Sequence, residues 1–131
     1  MEELLKAALQ ARENAYAPYS GYKVGAALRA SDGRVFAGCN VENVAYGSTI
    51  CAERNAVLSM VAAGQTRFSE LLLLTGDLAT PCGACLQVLS EFAGETTKVH
   101  CHSENGASQT HTLGELFPHA FKSSEVKRTE P

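Results

Sequence analysis

Residues 51–85 read CAERNAVLSMVAAGQTRFSELLLLTGDLATPCGAC, and this run decides the architecture. Its centre, Leu71 to Leu74, is an unbroken apolar stretch of strand length, the pattern of a central strand covered on both faces. Before it, Ala56 to Ala63 is apolar on nearly every side and reads as the later turns of a helix that begins at Cys51 and ends at Gly64. One face of that helix covers the sheet. The other needs a second partner, and in a chain of 131 residues that partner is expected to be another subunit. After the strand, the loop Gly76 to Thr80 leads to Pro81, placed at the first position of a third helix that runs to about Gly94.

Outward from this run, the pattern completes one sheet. Residues Met1 to Tyr16 put Leu5, Ala8, Leu9 and Arg12 on one helical stripe, with Leu4, Ala8, Ala11 and Ala15 beside it. Pro18 pushes Ala17 out of helical geometry and stops that helix. Lys23 to Ala30 and Arg34 to Asn40 then flank Asp32-Gly33, a two-residue hairpin turn signal. Gly25, Ala26 and Ala27 are small for a strand, so another element or a ligand must come close there. Asn40 to Ile50 is a loop by composition. Lys98 to His102 and Gln109 to Leu113 read as two further strands joined through Asn105-Gly106, followed by one helical turn over Leu113 to Phe117. Everything beyond Phe121 is a polar tail, residues 122–131. The order helix, strand, strand, helix, strand, helix, strand, strand predicts a single α/β sheet of five strands with helices on its faces.

Composition bounds the function. A chain with 45% hydrophobic residues is one domain, residues 1–131, able to bury a real core. A net charge of −3 with scattered Lys and Arg offers no footprint for a phosphate backbone, which argues against a nucleic-acid polymer as partner. The Met1-Glu2-Glu3 start and the lack of any run of membrane-spanning length predict a cytoplasmic protein that makes no use of a membrane. Five cysteines is an odd number, and in a reducing compartment three of them at metal-like spacing fit ligation better than a disulfide framework.

Those three are Cys51, Cys82 and Cys85. They are the right number and type for a zinc ion that keeps its fourth position open, and Glu53, not needed as a ligand, is left free to move protons. Positions 82 and 85 share one helix face near its first turn. Positions 51 and 53 both reach an ion beyond a helix N-terminus, because side chains there lean back toward the open end. Two helix N-termini then meet at one metal, and their roughly +0.5 charges offset the −1 of three thiolates with Zn²⁺. Arg54, next to Glu53, is the candidate for further compensation by hydrogen bonding to a ligand sulfur. Two plainer readings compete: a structural zinc site completed by His100, His102, His111 or Cys39, and a redox pair of Cys82 with Cys85, which leaves Cys51 without a role.

Five segments in order carry a more specific likeness: Tyr16-Ala17-Pro18-Tyr19-Ser20, Lys23-Val24-Gly25-Ala26-Ala27-Leu28, Gly38-Cys39-Asn40-Val41-Glu42-Asn43, Cys51-Ala52-Glu53-Arg54 and Pro81-Cys82-Gly83-Ala84-Cys85. Together they resemble the cytidine deaminases of the small homotetrameric, zinc-dependent type, from the first helix to about Phe121. The Cys-x-Glu and Pro-Cys-x-x-Cys pair belongs to the wider zinc deaminase group. The resemblance implies a three-layer α/β/α sandwich with a five-stranded mixed sheet, and one zinc per subunit on Cys51, Cys82 and Cys85. It also implies hydrolytic deamination of cytidine and deoxycytidine in pyrimidine salvage, with Glu53 carrying protons from water to the ring and the departing ammonia. By the same likeness Asn40 and Glu42 fall on ribose-binding positions, Tyr22 stands where a phenylalanine usually stacks on the base, and Ala52 lies in the substrate site. Tyr46 and Phe121 match positions that approach a neighbouring subunit's site, so the pyrimidine nucleoside pocket is expected to be shared within a homotetramer. A blasticidin-type deaminase is the nearest rival, and its pattern lacks the Asn40/Glu42 pair. Three places depart from the family: Leu86 where an arginine is common, the short loop Gly76 to Thr80, and the polar run His100-Cys101-His102.

Overall fold

Strand β3 (Phe68–Thr75) lies at the centre of a five-stranded sheet of order β2-β1-β3-β4-β5. In this computed structural model, residues 1–122 are described; all but the first residue of the expected 122–131 tail lies outside them. β1 (Gly25–Ala30) pairs antiparallel with both β2 (Val35–Cys39) and β3, β3 runs parallel to β4 (Lys98–Ser103), and β5 (Ser108–Thr112) returns antiparallel to β4. The sheet is therefore mixed. Its two faces follow the period of two along the strands. Leu72 and Leu74 of β3, with Ala27 of β1, pack on Leu4 and Ala8 of α1 (Glu2–Glu13). Leu71 and Leu73 point the other way, with Ala26, Leu28, Val99 and Cys101, into a larger core. That core is closed by α2 (Ala52–Ala62), α3 (Gly83–Phe92) and the short α4 (Leu113–Leu116). Three layers, α/β/α, are the result.

The small residues of the hairpin have a packing reason. A Cβ on Gly25 would run into the Ala8 carbonyl and stand 2.8 Å from Arg12 Cβ of α1. One on Gly38 would stand 2.5 Å from the Ala56 nitrogen and 2.7 Å from the Ala52 oxygen of α2. Glycine lets a helix backbone approach each face of the hairpin, which holds α2 against the sheet.

Four expectations change in detail. The hairpin loop has three residues, not two: Ala30 bonds Arg34, and Gly33 at φ +93° takes the left-handed position after a tight turn. The first helix ends at Glu13, capped at Asn14, well before Pro18, because the chain turns there to pair Tyr16 with Asn40 and Glu42. Its buried stripe is Leu4 and Ala8, while Leu9 stays exposed. In α3 the N-cap is Cys82, so Pro81 precedes the helix instead of opening it.

The polar run on β4 is also explained. α1 packs on β1, β2 and β3, so the β4 face on that side extends beyond the helix. His100 there meets Thr110 Oγ1 at 2.9 Å through Nδ1 and Glu70 Oε1 at 3.1 Å through Nε2, while Cys101 on the opposite face is fully buried. On α2, Ala56, Val57 and Met60 are buried, whereas Leu58 and Val61 are exposed on its outer side.

Candidate metal centre and active site

Val41 and Ile50 exchange backbone hydrogen bonds of 2.9 and 3.0 Å, closing the loop between them and delivering the chain to Cys51 at the mouth of α2. Cys51 and Cys82 are the N-cap residues of α2 and α3, and neither side chain is spent on capping its own helix. Cys85 sits one turn into α3. The three sulfurs lie within 4.8 Å of one another. A tetrahedral zinc with Zn–S near 2.3 Å spaces its sulfurs by roughly 3.8 Å, so this tripod of soft donors at two helix N-termini fits the ion and leaves one position open. Cys82 is exposed and Cys85 buried, so the open side is toward solvent. His100, His102, His111 and Cys39 are not part of this cluster among the described residues, which removes the fourth-ligand arrangement.

The thiols are electrically uneven. Hydrogen bonding from Cys85 and the Arg54 guanidinium bring the Cys51 thiol down to about 5, despite partial burial. The same sharing, with burial and the nearby Glu53 carboxylate, pushes Cys85 strongly up. Arg54 Nη2 lies 3.6 Å from Cys51 Sγ and 3.2 Å from the Thr49 oxygen. Leu86 is only 8% exposed and belongs to the apolar core, so its position serves packing and the cation beside the cluster is Arg54, at Cys51 Sγ.

Glu53 is 4% exposed, and burial pushes its carboxyl up to about 7, against the lowering effect of its own amide and of Cys85. It opens on a cleft of about 180 Å³ shared with Tyr22, Val24, Asn40, Thr49, Cys51, Ala52, Leu73, Thr75, Ala79, Thr80 and Cys82. A larger hollow of about 480 Å³, lined in part by Ser90, Phe117 and Phe121, holds none of the thiols and not Glu53. The chemistry belongs to the smaller cleft.

Of the residues singled out from sequence, Cys51, Cys82, Glu53, Ala52, Tyr22 and Asn40 line this cleft, with Cys85 completing the sulfur cluster and Arg54 beside Cys51. Asn40 and Glu42 have structural partners. Asn40 Oδ1 accepts from Val24 N at 2.9 Å and its Nδ2 donates to the Tyr22 oxygen at 2.8 Å. Glu42 accepts from the backbone N–H groups of Tyr19 and Ser20, at 3.0 and 3.1 Å, and from the Ser20 hydroxyl. Tyr46 and Phe121 are not brought to the cleft: they are 75% and 59% exposed, with Tyr46 edge-on to Tyr19. Sequence reading missed Thr49, Thr75, Ala79 and Thr80. Thr75 ends the central strand, and the carboxyl ends of strands in open α/β sheets are where ligands bind, a signal that was available.

A mixed α/β/α sheet presenting a three-thiolate tripod and a buried carboxylic acid to one cleft defines a zinc-site protein of the deaminase class. A family model described as the cytidine and deoxycytidylate deaminase zinc-binding region matches residues 1–103. The cytidine deaminase of Sporosarcina psychrophila is 41% identical over 128 residues, covering 96% of this chain and 94% of that protein. The crystal structure of cytidine deaminase from Burkholderia pseudomallei superposes with a TM-score of 0.88 at 45% identity, covering 92% of this chain and 98% of that one. That from Mycobacterium tuberculosis does so with 0.80 at 41% identity, over 92% and 96%. The chain belongs to the cytidine deaminase family, with Cys51, Cys82 and Cys85 as its zinc-binding triad.

Proposed function

We propose that this chain catalyses the hydrolytic deamination of cytidine and deoxycytidine to the uracil nucleosides with release of ammonia, in pyrimidine salvage. The observation that carries this is Glu53: a buried carboxyl poised near pH 7 beside three clustered sulfurs, at the wall of a cleft also lined by an aromatic ring and an amide. Bound zinc supplies Lewis-acid activation of water in this site. Glu53, buried at the wall of the cleft, takes a proton from the attacking water and gives it to the ring nitrogen beside C4, then helps the amino group leave as ammonia. Cys51, Cys82 and Cys85 hold the ion, and Arg54 draws charge from Cys51. The Tyr22 ring offers its face to the base, and Ala52 leaves room for it.

Asn40 and Glu42 serve the ribose with the capacity their backbone partners leave: a second amide hydrogen on Asn40 and the remaining lone pairs of the Glu42 carboxylate. Tyr46 and Phe121, exposed outside their own cleft, complete a neighbour's cleft in a homotetramer, with the exposed Leu58 and Val61 of α2 at the contact. The chain works as one domain in the cytoplasm, where its five free thiols stay reduced. The described residues contain no helix long and apolar enough to cross a membrane. With a net charge of −3 the partner is the free nucleoside, not a polymer.

The test is zinc content and ammonia release measured on one sample with cytidine, deoxycytidine and a blasticidin-type antibiotic. About one zinc per chain with turnover of both nucleosides is expected. Turnover of the antibiotic alone would overturn the assignment.

A further inference from the structure

Tyr22 brings to the cleft a hydroxyl that a phenylalanine would lack, and that hydroxyl is used. It donates to Asp77 Oδ1 at 2.6 Å, across 55 positions of sequence. Asp77 belongs to the loop 76–80 that leaves the end of β3, and Ala79 and Thr80 of the same loop line the cleft. The loop is tied at three places. Gly76 oxygen accepts from Ser103 Oγ at 3.2 Å, Ala79 N donates to Thr75 Oγ1 at 3.0 Å, and the Asp77 carboxylate takes the Tyr22 phenol. Between these ties Leu78 is held at φ +63°, a conformation that a γ-branched side chain seldom adopts. On the other side of the contact, Arg12 of α1 anchors the approach to β1, donating from Nε to the Lys23 oxygen and from Nη1 to Glu104 Oε2, both at 2.9 Å.

Packing alone does not orient the Tyr22 ring. It is 40% exposed, so the ring needs a directional contact if its face is to be presented to a base. A charge-assisted phenol–carboxylate bond is short, strong and directional. We propose that Asp77 is a positioning residue: its bond to the Tyr22 hydroxyl sets the angle of the ring that stacks on the pyrimidine and couples that ring to the loop bordering the cleft. The proposal rests on the reading of the cleft as a nucleoside site and deepens it, since in this chain the stacking residue is held by a hydrogen bond from a loop. Burial and the bond to Asp77 both push the Tyr22 phenol up, so it stays a donor across the neutral range.

The test uses the zinc-loaded full-length protein and the variants Asp77→Ala, Asp77→Asn, Tyr22→Phe and the Asp77→Ala/Tyr22→Phe pair. Asp77→Ala is expected to raise KM for cytidine by about two- to tenfold, the range an aromatic contact is worth, with kcat within about twofold. Tyr22→Phe should raise KM similarly, and the pair should be no worse than the worse single variant, because both remove one interaction. Asp77→Asn, which keeps an acceptor oxygen, should recover most of the loss. A second readout needs no substrate: the chain has four tyrosines and no tryptophan, and a phenol bonded to a carboxylate emits weakly. Asp77→Ala should brighten tyrosine fluorescence when Tyr22 is present and not in the Tyr22→Phe background. Unchanged KM in Asp77→Ala, additive losses in the pair, or the same change of emission on Asp77→Ala in both backgrounds would overturn the proposal. Absence of cytidine turnover in the unaltered protein would instead strike the functional reading, and the fluorescence comparison would still decide whether Asp77 holds Tyr22.

Discussion

Asn40 Oδ1 accepts the backbone N–H of Val24 at 2.9 Å, and the amide of the same side chain reaches the Tyr22 oxygen at 2.8 Å. One side chain thus replaces two rungs of ladder just ahead of β1 and fixes where Tyr22 stands. Asn40→Ala would leave a buried N–H and a carbonyl without partners, at a cost of about 1–3 kcal/mol. Its thermal midpoint should fall with no substrate present, in addition to any rise in KM. A variant that melts like the parent would show that the Val24 and Tyr22 contacts contribute nothing.

Glu53 divides metal binding from chemistry. Glu53→Gln keeps shape and hydrogen bonding while removing the proton carrier, so zinc content should stay near one per chain while kcat drops by about 10²- to 10⁴-fold. Metal analysis beside steady-state kinetics checks both halves. Full activity in this variant would show that Glu53 is not the proton carrier.

Gly38 is where β2 touches the backbone of α2. In Gly38→Ala the new methyl would meet Ala56 N at 2.5 Å, and because the obstacle is backbone it yields only by moving the helix. Overpacking of this kind costs about 1–3 kcal/mol. Since Cys51 caps the same helix, zinc should also leave faster in a chelator challenge. Unaltered melting and zinc release would mean that the hairpin can flex away.

Glu42 predicts an acid limb. Hydrogen bonds from Ser20 and the Tyr19 amide hold its carboxyl below the ordinary value of 4.5. A depressed carboxylate adds stability above its ordinary titration range, and that part is lost as pH falls through the folded value. The melting temperature of Glu42→Gln should therefore depend less steeply on pH below about 4.5 than that of the parent. Parallel curves would remove Glu42 from the acid response.

The order of elements, the central Leu71 to Leu74 strand, the two-sided sheet and the zinc triad were legible in the sequence because each rests on a local pattern. Apolar periodicity, small residues in a strand and cysteine spacing need no knowledge of distant partners. Glu53 was legible for the same reason, standing two positions from Cys51 at a helix start. Asp77 was not, because nothing near it in the chain says that Tyr22 will lie across from it. Nor was the loss of Leu86 to the core, which depends on how α3 is rotated against α2.

Residue identity by itself determined that Cys82 and Cys85 would share one helix N-terminus and Cys51 and Glu53 another, since helix geometry carries that information over three or four positions, while the meeting of the two termini is tertiary. Tertiary structure alone decided the state of those groups. Burial moved Glu53 to about 7, Cys85 and then Arg54 drew Cys51 down, and backbone partners engaged Asn40 and Glu42. Each of these depends on which groups are desolvated together, and desolvation is set by packing between segments remote in sequence.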